Sequence, residues 1–225
     1  MIACDAQMCA ALRAHGLSSS RLRVLGPTSS YPTTSALVVD TATVRRLFGS
    51  SLGAQAAPEI LSSFGGGPAL VSVRAVAPKG AAAYEHALSA DRAVRQQTGA
   101  ALVASGRQIR TQAAAKEQLS GGMIDTRLLF LMAALAGVQP IDVVDFGNIG
   151  SGGSPDLPLR YVDVAENDSA AHLGRAAYLD ALLKALHSVP AIYRPLRAVT
   201  IELAPGVTVL RIEVGAPSPL GLFGS

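Results

Sequence analysis

Residues 120–163, SGGMIDTRLLFLMAALAGVQPIDVVDFGNIGSGGSPDLPLRYVD, constrain this chain more than any other stretch. Ile124, Leu128, Leu131 and Leu135 recur at helical spacing across 123–137. IDVVDF at 141–146 is rich in β-branched residues and reads as a buried strand, with an aspartate on each face. Gly, Ser and Pro fill 147–158, and LRYVDV at 159–164 reads as a second strand. A helix feeding a strand that opens into a loop predicts a crevice at the strand's carboxyl end.

The rest of the chain alternates in the same way. Asp5 can cap a helix running to His15, with Gly16 as its stop. RLRVL at 21–25 and ALVVD at 36–40 read as strands, and Thr41 or Thr43 as the cap of a short helix closed by Gly49. A short helix is expected over 58–64, where Pro58 suits a first turn, and a strand over 69–77. A long helix follows at 81–103, with Leu88, Arg92, Arg95 and Gln96 as its polar side. Thr111 opens a helix to Leu119, ended by Gly121 and Gly122. Asp168 or Ser169 can cap a last helix ending near His187. APGV at 204–207 sits between alternating runs and predicts a closing hairpin.

This order predicts an α/β protein of two small subdomains. A Rossmann-like parallel-sheet half covers 1–104, and an α+β half with a closing antiparallel hairpin covers 105–215. A Pro/Gly tail over 216–225 reads as an extended strap or a disordered end.

Charge and composition exclude some classes. The net charge is +3, and the basic residues form no run, while aromatics make up only 4%. Nucleic-acid binding needs a basic stripe and stacking rings, so it is not expected. Charged residues are 16%, below the usual quarter, consistent with some faces being covered by a partner or with a GC-rich coding sequence. No run of 18 apolar residues predicts a membrane span, and no signal peptide opens the chain. The opening MIACD reads as the stump of a strand, so the chain is expected to be the downstream part of a longer protein. Cys4 and Cys9 are not spaced as CxxC and are expected as thiols at a helix, with no zinc site. His15, His86, His172 and His187 stand far apart and fit no metal motif. No cofactor motif is present: neither GxxxxGK[ST], GxGxxG nor GxSxG occurs in context.

The acids and basic residues around 147–163 are the candidate site. Asp145 and Asp163 are the candidate catalytic pair, since two carboxylates can serve as acid and base or hold a hard cation. Strand alternation predicts Asp142 on one face with Val144 and Phe146, and Asp145 on the other. Arg160, Asn148 and Asp156 are the candidate ligand-binding residues of the crevice. The competing reading makes these acids solvent-facing. Arg127, Arg160 and Arg74 can hold an anionic ligand or pair internally with acids such as Asp125, Asp145 and Asp163.

One passage carries a resemblance. Asp5 opening a helix, the strand at residues 37–41, Val44 and Arg45 in a short helix, and FGGG at 64–67 occur in an order that resembles the soluble portion of polytopic bacterial mannosyltransferase-like glycosyltransferases. The likeness covers the first third and departs at Ser35, where that family more often has aspartate. It implies an extracytoplasmic domain at the cell membrane, joined to a membrane-embedded part of the same protein or to an envelope partner. A glycan or lipid-linked sugar is the implied ligand. Its motifs here are structural, so no catalytic residue is carried over. The second half resembles, more faintly, a peptidoglycan-peptidase layout without the metal histidines. The function expected is binding or positioning; the alternative is a free-standing hydrolase or transferase using the acids of the 147–163 crevice.

Overall fold

The computed structural model of the chain describes residues 1–30, 32–150, 152–167, 174–218 and 220–222. The fold is mixed α/β, with two five-stranded sheets. The chain divides into two compact units, Met1–Leu88 with Gly150–Asp156, and Ser89–Ile149 with Leu157–Ser225.

The first unit is built on β1 (Ile2–Asp5), β2 (Leu22–Leu25), β3 (Leu37–Asp40), β4 (Ile60–Phe64) and β5 (Val71–Ala75), in the order β2-β1-β3-β5-β4. Strand β1 lies between β2 and β3 and is parallel to both. Helix α1 (Ala6–Ala14) begins where β1 ends, because Asp5 accepts the Met8 N–H at 2.9 Å. Helix α2 (Ala42–Phe48) begins the same way after β3, with Thr41 accepting the Val44 N–H at 3.2 Å. Ala3, Val38 and Val44 are buried in one apolar cluster, and Cys4, Cys9 and Val39 in another.

Two expectations change here. The sheet is not all parallel, since β5 runs antiparallel to β3 and β4 antiparallel to β5. The segment expected as a helix over 58–64 contains β4 instead. Gly65 and Gly67, both at positive φ, turn it straight back into β5, and strands joined by so short a turn must pair antiparallel. Pro58 fits the approach to an edge strand as well as a helix start, which is why its signal misled.

Cys4 and Cys9 form a disulfide rather than two thiols. The chain turns from β1 directly into α1, bringing the two Cα atoms to 5.5 Å, well within disulfide reach.

The second unit carries β6 (Ile109–Thr111), β7 (Ile141–Gly147), β8 (Tyr161–Glu166), β9 (Arg197–Ala204) and β10 (Val207–Glu213), in the order β6-β7-β8-β10-β9. Strands β6 and β7 are parallel, while β7–β8, β8–β10 and β9–β10 pair antiparallel, with β9 and β10 as the expected hairpin. Its helices are the later part of α3 (Ala81–Ala104), α4 (Ala113–Ser120), α5 (Thr126–Ala136) and α6 (Arg175–Ser188). Thr111 belongs to β6, a strand too short to show periodicity, and α4 starts after it. The cap expected at Asp168 or Ser169 lies outside the described residues.

Leu128, Leu131, Met132 and Leu135 of α5 are fully buried with Val162 and Val164 of β8 and Leu182 of α6. Tyr178 of α6 is also fully buried, and its hydroxyl lies 3.0 Å from the Pro140 carbonyl and 3.1 Å from that of Ala165. Arg95, expected on a polar side of α3, is buried and paired with the equally buried Asp91 at 3.1 Å. Tail residues 216–218 form a strap: the Ser218 N–H donates to Asp125 at 2.9 Å, and Arg127 donates to the Ala216 carbonyl.

Candidate functional site

Strand β7 does not alternate as expected. The register shifts between Val143 and Asp145, so Val144 is an extra residue, a β-bulge. Ile141, Val143 and Phe146 are therefore all buried on the core face, and Phe146 leaves the side it was expected to share with Asp142 and Val144. The same shift sets Asp145 directly across from Asp163 of β8. The two candidate catalytic residues are thus cross-strand neighbours.

Their environments differ. Asp163 is 1% exposed and is gripped by Arg211 of β10, with Nε and Nη2 at 2.8 and 2.7 Å from its two oxygens. Arg211 also lies over the Tyr161 ring, 4.2 Å from its centroid. That hydrogen bond to Asp163 pushes the Arg211 pKa up against the opposing effect of burial. Asp145 is exposed and accepts from the Tyr161 hydroxyl at 3.2 Å. Beside them Arg110 pairs with Asp142 at 2.7 Å. Sequence reading missed Arg211 because it is distant along the chain from Asp163.

Burial raises the Tyr161 pKa, and the nearby Asp145 carboxylate raises it further. Because the folded-state value lies above the unfolded one, the stabilisation is present below about pH 10 and fades as pH rises through the raised value. Tyr161→Phe is expected to remove that part of the alkaline stability loss. Phenolate absorbance titrations should show one late-titrating phenol more in the parent than in the variant, since the buried Tyr178, whose pKa burial also raises, is common to both.

Arg160 stands next to β8 and donates to the carbonyls of Gly215 at 3.1 Å and Ile149 at 3.0 Å. Burial lowers its pKa, with Arg127 acting in the same direction and Asp125 against it. Its Nε and the Asn148 Oδ1 are buried without hydrogen-bond partners among the described residues. Arg127 forms the internal pair that was one of its two readings, with Nε 3.0 Å from Asp125. Arg74 pairs with Asp40 at 2.9 Å.

Asp156 belongs to the first unit, whereas the other four candidates belong to the second. The glycine loop explains this. Ser63 of β4 donates to the Gly152 carbonyl at 2.7 Å, and Ser154 N–H to the Leu61 carbonyl at 3.2 Å, so residues 152–154 run along β4. Gly152 is required at this contact, since a Cβ there would sit 2.5 Å from the Ser63 carbonyl oxygen. Asp156 lines a cleft with Glu59, Tyr84, Glu85 and Leu88.

A second cleft in this unit was not anticipated. Strand order reverses at β1, since the chain steps from β1 to β2 on one side and then to β3 on the other. Such a reversal leaves a gap at the carboxyl ends of β1 and β3. The gap is a cleft of about 310 Å³ lined by Asp5, Gln7, Met8, Thr41, Thr43 and Leu70, among others. Asp5 is 6% exposed and takes one bond on each oxygen, from the Met8 N–H and from the Thr41 hydroxyl. The two caps were legible separately, but the contact between them was not.

Among the described residues, no group of three His, Cys, Asp or Glu side chains is placed to hold a metal, and no helix is long and apolar enough to cross a membrane. No protein-family model matches the chain, and comparison with curated proteins and with solved structures finds no match.

Proposed function

We propose that this chain is a non-catalytic, extracytoplasmic domain of a membrane-bound glycosyltransferase-like protein, where it binds or positions a glycan, a lipid-linked sugar or an envelope partner. The observation that carries the reading is the engagement of Asp163, one of the two candidate catalytic acids, together with its neighbour Asp142 on the second sheet. Asp163 is held in a bidentate fork by Arg211 and Asp142 is paired with Arg110. A carboxylate whose oxygens are taken up by a guanidinium has few lone pairs left for a substrate, so it serves architecture better than proton transfer. The Cys4–Cys9 disulfide supports the compartment, because such bonds persist outside the reducing cytosol.

Two readouts test this. When expressing cells are quenched in acid and the denatured chain is alkylated, both cysteines are expected to stay unmodified until reductant is added. Two adducts without reductant would refute the extracytoplasmic placement. Incubated with envelope oligosaccharides, the protein is expected to bind them and return them intact. Turnover that disappears in Asp145→Asn would establish the competing enzyme reading instead.

A further inference from the structure

We propose that the ligand site is the cleft at the carboxyl ends of β1 and β3, and that it takes one neutral, polyhydroxylated ring of pyranose size. This rests on the binding function proposed above and assigns it a place and a ligand class. The volume, about 310 Å³, is at the lower end of the roughly 300–1,000 Å³ usual for small-molecule sites. It has room for one ring but not for a dinucleotide. The turn from β1 into α1 reads CDAQM and lacks the glycines that let backbone approach a pyrophosphate.

Charge narrows the choice further. Asp5 lies at the cleft, almost wholly buried, and forms no ion pair with any described residue. An anionic ligand would meet that carboxylate. A cation would meet the positive end of α1, which Asp5 itself caps. A neutral hydroxyl avoids both. Each carboxylate oxygen offers about two acceptor positions, and each Asp5 oxygen accepts one bond within the chain. The remaining positions suit ligand O–H donors. Thr43 and Gln7 line the same cleft with groups that both donate and accept, while Met8, Leu70 and Val71 supply apolar surface for the C–H face of a ring. The Cys4–Cys9 disulfide joins β1 to α1 beside Asp5 and Met8, so it restrains the parts that a ligand would touch.

The test is an amide NMR titration of the full chain with a panel of methyl pyranosides, and with inorganic phosphate and spermidine as charged probes. At least one pyranoside is expected to shift the Gln7, Met8, Thr43 and Leu70 amides saturably. Thr43→Val and Gln7→Ala change exposed side chains and are each expected to weaken binding about five- to ten-fold, the loss of roughly one hydrogen bond. Saturable shifts clustered at Glu59 and Tyr84 instead would overturn the site while leaving a sugar-binding function standing. Shifts of the β1–α1 amides by phosphate or spermidine, with none by any pyranoside, would overturn the ligand class. The alkylation pattern of the cysteines reports separately on the compartment, so the two proposals fail distinguishably.

Discussion

Arg211→Met is expected to destabilise the second unit by about 3 kcal/mol, the lower end of the usual cost of breaking a buried ion pair, because Asp163 is buried while Arg211 is itself 26% exposed. The reason lies in what remains. Asp163 is 1% exposed, and both of its oxygens accept from Arg211. With methionine in place, the packing along the stem is largely kept, but the Asp163 carboxyl group is left buried without its cation or its two hydrogen-bond donors. Arg211→Lys should fall between the two, because lysine keeps the charge and loses the fork. The double variant Asp163→Asn/Arg211→Met should recover much of the loss, since the stranded charge is gone. The chain has no Trp, so urea unfolding followed by far-UV circular dichroism is the measurement. The expected signature is a lower midpoint with an unchanged slope. If Arg211→Met and the double variant were equally unstable, the cost would come from lost packing over Tyr161 and not from the charge.

That pair also shows where sequence reading stops. Strands with a strong local signature were legible: the apolar run at β3, the run at β7, and the helical spacing of α5. Asp5 and Thr41 were readable as caps because capping is decided within three residues. The Asp163–Arg211 fork spans 48 residues and the Thr41–Asp5 hydrogen bond 36, and both depend on sheet register, which no local pattern encodes. The bulge at Val144 had no glycine to announce it, yet it decides which side of β7 Phe146 joins. The glycine loop was legible as a loop. That its residues 152–154 pair with β4 is not legible, because Pro58 gives the partner segment the local pattern of a helix start. The cleft at β1 and β3 follows from strand order, and that order depends on the same long-range pairing.

Gly99→Ala is expected to destabilise the second unit by about 3 kcal/mol or more, although the same change in an open helix would be favourable by nearly 1 kcal/mol. Gly99 is buried in α3, and a Cβ added there would lie 2.1 Å from the Leu119 carbonyl oxygen at the end of α4, and 2.7 Å from its carbon. Both atoms are backbone, so no rotamer change relieves the overlap. The helices must separate by more than about 1 Å to reach ordinary van der Waals distance. Leu119 is fully buried in the same cluster as Leu102 and Ala115, so separation opens space where none can be refilled. Gly122, just past α4, repeats the constraint: a Cβ there would meet the Arg92 carbonyl at 2.9 Å. Gly106→Ala is the control, since a Cβ at that position meets nothing within 4 Å. Urea midpoints of the two variants should diverge, with Gly106→Ala near the parent and Gly99→Ala far below it. A Gly99→Ala protein as stable as the parent would mean that α3 and α4 do not pack backbone to backbone, and the close approach at Gly122 would fall with it.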